Sequence, residues 1–224
     1  MNLCILSACY DQPERAAILT ESCLINRLPL LWCSAKEWKG SWRVPGDYRT
    51  GKLQAAYETI QAFRKWYDHF MWIDGFDSFV QAGSPKIEAA WNALQCPPLV
   101  LSAEKNCYPY PAWADNFPTV EGPYRFLCAG AWMGQTGYLI DSLEQVLKWS
   151  PRDERNDQPL WQNFYLGNRL PGAVIDSGRR IFQSMFDVPD SEAIDAPVVH
   201  YNGEASWNKS TRYQEHWQRV KASK

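Results

Sequence analysis

Short apolar runs that end at a polar or acidic residue, each separated from the next by a stretch with helical spacing, constrain this chain more than any other feature. Residues 3–8, 28–33, 70–73, 99–103, 173–176 and 198–200 are too short for buried helices and read as buried strands. Between them, Pro13 opens a helix carrying Ala17, Ile18, Leu24 and Ile25. Leu53, Ala56, Tyr57, Ile60, Phe63 and Tyr67 recur at three- and four-residue steps on a helix starting near Lys52. Ile87, Ala90, Trp91 and Leu94 do the same on a helix with Ser84 as its cap and Pro85 in the first helical position. After the apolar segment 126–133, Leu139, Leu143, Val146 and Leu147 mark a further helix. Asp157-Gln158-Pro159 opens another, with Leu160, Trp161, Phe164 and Tyr165 as its stripe. Residues 37–51 and 107–118 follow neither period and read as long loops. This alternation predicts an α/β fold, a mostly parallel sheet flanked by helices on both faces, with functional residues at the carboxyl ends of its strands.

A chain of 224 residues with 46% hydrophobic residues can bury a sizeable core, and residues 1–207 are expected to form a single domain followed by a basic, aromatic tail or helix, 208–224. No segment approaches the roughly 18 uninterrupted apolar residues of a membrane span. The net charge of -2 excludes a global basic field of the kind that drives non-specific nucleic-acid binding. Only the tail offers a local one: Lys209, Arg212, Arg219, Lys221 and Lys224 interleave with Tyr213 and Trp217, which is a surface for phosphates and stacked bases or a solvated helix. The seven cysteines form no CxxC pair and mostly lie in apolar runs, which reads as buried free thiols. With no basic lead or long apolar centre near Met1, the expectation is a reducing, cytoplasmic setting.

Charge appears where the third apolar run stops. Asp74 and Asp77, three residues apart with Gly75 to relax the turn, can meet one oxygen-loving divalent cation, as a nucleotide diphosphate requires. The same residues also fit an ordinary Asp-Gly turn with Asp77 capping a short helix. His200 ends the run 197–199 as the aspartates end theirs, and reads either as a metal ligand or as a core histidine. The other histidines, His69 and His216, lie in helix-like polar surroundings and receive no chemistry.

In this context a set of ordered blocks stands out: Glu37-Trp38-Lys39-Gly40, Arg49-Thr50-Gly51-Lys52, Asp74-Gly75-Phe76-Asp77, Ala82-Gly83-Ser84-Pro85, Ser102-Ala103-Glu104, Arg125-Phe126-Leu127, Asn156-Asp157-Gln158, Arg180-Ile181-Phe182-Gln183 and His200-Tyr201-Asn202-Gly203. From Leu3 to about Trp207 the chain resembles the glycosyltransferase domain of the multifunctional procollagen lysyl hydroxylases, and through it the nucleotide-sugar-dependent enzymes of the Rossmann-like GT-A fold. The resemblance implies Asp77 and His200 as metal ligands, Asp74 as a third ligand or a ribose contact, and Mn²⁺ (or Mg²⁺) as the ion. It implies Trp38 stacked on uracil, Lys52 on the nucleotide or its phosphates, and Asn202 and Gly203 around the diphosphate. Ser7, at the end of the first strand, joins these nucleotide contacts. Asn156 or Asp157 stands where the family has acidic residues near the transferred sugar, with Asp157 as the candidate for sugar positioning or for the base. Each position also has a plainer use: Trp38 as a plug at the core edge, Lys52 as a solvated first-turn residue, Asp157 as the helix cap. Glu104 is either an acceptor ligand or a surface charge. The family's aspartate run is diluted here to Asp153-Glu154-Arg155-Asn156-Asp157, and its glycine-rich strand becomes Cys128-Ala129-Gly130-Ala131.

The expected function is metal-dependent transfer of a hexose from a UDP-sugar, UDP-glucose or UDP-galactose, to a hydroxyl acceptor. A hydroxymethylated DNA base as acceptor and a non-catalytic sugar-nucleotide-binding module are the alternatives. A sugar nucleotidyltransferase would carry a glycine-rich basic loop after its first strand, and Ser7-Ala8-Cys9-Tyr10-Asp11 is not one.

Overall fold

The computed structural model describes residues 1–8, 16–33, 48–149, 156–203 and 211–224. Its principal sheet takes β1 (Leu3–Ser7), β2 (Leu30–Trp32), β3 (His69–Ile73), β5 (Leu99–Glu104), β6 (Phe126–Gln135) and β7 (Val174–Ile175), in the order β2-β1-β3-β6-β5-β7. A second sheet of three strands has the order β4-β9-β8, from β4 (Ser78–Val80), β8 (Phe182–Ser184) and β9 (Val198–His200). The helices are α1 (Ala17–Ile25), α2 (Tyr48–Phe63), α3 (Ser84–Ala93), α4 (Thr136–Trp149), α5 (Asp157–Leu166) and α6 (Arg212–Ala222).

Strand alternation sorts the core into two layers. Cys4, Leu6, Phe70, Trp72, Leu101 and Trp132 face α2, α4 and α5 through Leu53, Ala56, Ile60, Leu139, Leu143, Val146, Trp161 and Phe164. Leu3, Ile5, Met71, Ile73, Val100, Ala131 and Met133 face α1 and α3 through Leu19, Cys23, Ile87 and Trp91. Both faces of the sheet are therefore helix-covered, as the sequence predicts. No described helix is long and apolar enough to cross a membrane, and the six cysteines among the described residues are free thiols.

Five strands of the principal sheet point the same way, and β6 runs against both of its neighbours, β3 and β5. The cause is the connection. Residues 105–125 hold only a 3₁₀ turn, Pro111–Asn116, and no crossover helix, so the chain re-enters the sheet at the end where β5 left it. This reversal brings Cys128 and Gly130, near the start of β6, to the carboxyl ends of β3 and β5: Ile73 pairs with Ala131 and Ser102 with Cys128.

Several expectations are corrected. The second helix starts at Tyr48, ahead of Lys52. Gly83, in extended backbone, caps α3, and Ser84 is its first residue without a side-chain capping bond. His69 lies in β3, not in a helix. Lys209 lies outside the described residues, and the described part of the tail is a helix docked on the domain. Tyr213 and Trp217 are buried against Phe79, Val199 and Tyr201, so neither ring is open to a nucleobase. Trp217 Nε1 donates to Glu21 at 2.7 Å, Lys221 pairs with the same carboxylate, and Lys224 donates to Asn26.

Candidate active site at the carboxyl ends of the strands

Two charged groups and one polar network meet where β1, β3, β5 and β9 end. The first is built on Lys52, which α2 buries to 6% exposure. Its Nζ lies 2.8 Å from Asp74 Oδ1, just past β3, and 2.7 Å from Asp157 Oδ2, in the first turn of α5. Trp72 Nε1 donates to the same Asp74 oxygen at 3.0 Å, and the ammonium stands over the Trp72 ring. Burial alone would raise the Asp74 carboxyl; Lys52, then His200, offset it and hold it below the usual range. Asp157 remains raised, because burial and Asp74 outweigh Lys52 there. For Lys52, burial is overcome by Asp157 and Asp74, and the ammonium is held more firmly charged than usual. Lys52 is thus a buried bridge between two carboxylates and not a solvated residue. Asn156 is the cap of α5, its Oδ1 accepting the Gln158 N–H at 3.0 Å, which leaves Asp157 free for Lys52.

The second group joins strands from both sheets. His200 ends β9, buried to 3% exposure, and its Nε2 lies 3.3 Å from Asp77 Oδ1. Asp77 is fixed through its backbone, whose carbonyl accepts the Tyr201 N–H at 2.8 Å. Burial would lower the His200 pKa, yet the facing Asp77 raises it well above the ordinary value. Gly130 makes room for the ring: a Cβ there would lie 2.0 Å from His200 Cε1. Gly75 makes room for the turn, since a Cβ would meet Ser7 Oγ at 2.8 Å. Ser7 itself is fully buried and donates its hydroxyl to the Ile73 carbonyl at 2.6 Å. Asp74, held by Lys52, does not complete a cluster with this pair; among the described residues no three His, Cys, Asp or Glu side chains group to hold a cation.

The third feature centres on Glu104, which the last position of β5 buries to 5% exposure, so it is not a surface charge. Gln158 Nε2 donates to one of its oxygens at 2.6 Å and Asn202 Nδ2 to the other at 3.1 Å. Gln158 also accepts the Ala129 N–H and donates to the Tyr108 carbonyl, while Asn202 Oδ1 accepts the Phe186 N–H. Gly203 follows with φ at +81°, a conformation that favours glycine. Sequence alone shows Gln158 only as part of a helix start; a buried and a half-buried amide flanking one carboxylate become apparent once β5, α5 and β9 converge.

Burial pushes the Glu104 carboxyl up to about 7, with the Gln158 bond, His200 and Asn202 opposing it. A raised carboxyl contributes stability that is complete below its unfolded pKa and lost as pH rises through its folded one. Between about pH 4.5 and 7, wild-type stability should therefore fall by up to about 3 kcal/mol more than that of Glu104→Gln. Chemical denaturation across that window checks it, and parallel slopes would contradict it.

Trp38 lies outside the described residues, as do Asp153, Glu154 and Arg155. A model of the family described as the PLOD GT domain matches residues 31–214. The multifunctional procollagen lysine hydroxylase and glycosyltransferase LH3 of Homo sapiens is 29% identical over 136 residues, covering 59% of this chain, and that of Pongo abelii matches equally. The chain spans 17% of the length of these curated relatives. Among solved structures, a glycosyltransferase involved in glycosylation of the major capsid of PBCV-1 superposes with a TM-score of 0.59 at 15% identity, covering 98% of this chain and 100% of its own. The galactosyltransferase LgtC, in complex with donor and acceptor sugar analogs, gives 0.55 at 14%, covering 98% of this chain and 95% of its own. At such identities the likeness carries the fold alone.

Proposed function

The chain belongs to the PLOD GT domain family and is a glycosyltransferase domain of GT-A fold, and from that premise we propose that it moves a hexose from a UDP-sugar to a hydroxyl acceptor with the help of one divalent cation. The observation that carries this reading is the meeting of Asp77 Oδ1 and His200 Nε2 at 3.3 Å. Two adjacent ligands of an octahedral ion with bonds near 2.1 Å are about 3 Å apart, so the pair fits Mn²⁺ or Mg²⁺. A carboxylate and an imidazole without a thiolate suit such an ion, and two protein ligands leave positions for phosphate oxygens and water. Asp77 and His200 would hold the cation, which when bound neutralises charge on a leaving diphosphate.

The remaining work falls to the chain's own side chains. Lys52 ties the turn after β3 to the first turn of α5, which fixes the distance between the nucleotide side of the cleft and the sugar side. Asp157 is held by that ammonium at 2.7 Å, so it serves as a positioning carboxylate for the sugar more readily than as a proton acceptor. Asn156 supports it as the cap of α5. Glu104, gripped by Gln158 and Asn202, carries a carboxyl raised to about 7, and in this reading it would face an approaching acceptor hydroxyl. Trp38 keeps the role that the family resemblance gives it, on uracil.

A thermal-shift series tests this reading. UDP with Mn²⁺, at about a hundred times its dissociation constant, should stabilise the native chain by about 2.7 kcal/mol, a rise in Tm of roughly 5–10 °C. UDP alone should give much less. An equal shift with and without Mn²⁺, or none in either case, would remove the cation from the account.

A further inference from the structure

His200 is touched on a second edge that the proposed reaction does not use. Cys128, near the start of β6 and opposite Ser102 of β5, places its Sγ 3.8 Å from His200 Nδ1, within the reach of a hydrogen bond to sulfur. Two residues on, Gly130 lies on the same side of β6, directly under the ring, where any Cβ would collide with Cε1. The ring is therefore seated at three points: Cys128 at Nδ1, Gly130 at Cε1 and Asp77 at Nε2.

We infer that Cys128 is a positioning residue for His200, accepting the Nδ1–H so that the imidazole would offer its Nε2 lone pair to the cation. This rests on the metal reading above. A histidine ligand commonly donates its other ring N–H to a fixed acceptor, which sets both tautomer and ring orientation. Such an acceptor is ordinarily a carboxylate, a carbonyl or water; here the atom in that place is a buried sulfur, 2% exposed.

Mn²⁺ binding, followed by the paramagnetic resonance signal of the free ion, tests the inference separately from the reaction. Cys128→Ala, which removes the acceptor, should bind Mn²⁺ about 10–100-fold more weakly than wild type. Cys128→Ser, which restores one, should stay within about threefold. Unchanged affinity in the alanine variant, or equal losses in both variants, would overturn it, the latter because packing alone would then account for Cys128. A wild-type chain that binds no Mn²⁺ would overturn the metal reading and this inference with it, whereas binding by wild type that Cys128→Ala leaves unchanged would overturn this inference alone.

Discussion

Asp77→Ala should abolish Mn²⁺-dependent UDP-sugar turnover while leaving the fold in place. If Asp77 and His200 hold the cation as proposed, removing one of the two takes away several kcal/mol of charge stabilisation, and at about 1.4 kcal/mol per decade the loss is on the order of 10³-fold. The fold survives because the structural duty of Asp77 is carried by its backbone: its carbonyl accepts the Tyr201 N–H, a bond that alanine keeps. What the variant loses is the carboxylate facing His200, whose imidazole can then stay neutral in its buried seat at little cost. The melting temperature without metal should therefore move by only a few degrees, and the Mn²⁺-linked stabilisation by UDP should vanish. Hydrolysis or transfer at near wild-type rates in Asp77→Ala would take this carboxylate out of the site.

Lys52→Met should have the largest effect on stability. The ammonium is buried between Asp74 and Asp157, and deleting it leaves two neighbouring carboxylates without their shared cation. Breaking a buried pair in this way costs about 3–5 kcal/mol. Asp74 retains access to water, with 37% of its side chain exposed, so the lower end applies. A loss of about 3 kcal/mol corresponds to a fall in Tm of roughly 6–12 °C. The sign against pH is also fixed. In wild type, Asp74 is held below its ordinary pKa, and its contribution is lost as pH falls through that lowered value. Without Lys52 the two carboxylates raise one another, so the variant should recover stability on acidification, and Lys52→Met combined with Asp157→Asn should recover it at neutral pH. A melting temperature unchanged by Lys52→Met would show that the bridge contributes nothing.

The layered fold is legible because the central strands carry enough consecutive apolar residues to declare themselves; residues 70–73 and 99–103 fall within β3 and β5. The strands β4 and β8 are not legible, since each is three residues long with polar residues breaking the apolar run, and without them β9 does not reveal a second sheet. The reversal of β6 was hidden for another reason. Strand direction depends on whether the connection crosses the sheet, and a loop with one 3₁₀ turn has no periodic signal of that. At the site, the approach of Asp77 to His200 is legible from their places at the ends of apolar runs, together with the family resemblance. The Lys52 bridge is not, because residues 52, 74 and 157 are far apart in sequence and each alone reads as a turn, a cap or a solvated charge. Glu104 is ambiguous in sequence for the same reason, and its burial and two amide partners decide against a surface role.

Crystals grown with MnCl₂ and UDP, and measured at the manganese absorption edge, would test the reading most directly. One anomalous peak within about 2.0–2.6 Å of an Asp77 carboxylate oxygen, His200 Nε2 and a diphosphate oxygen is the predicted result. UDP bound with no peak there, or with the ion held by other side chains, would contradict it.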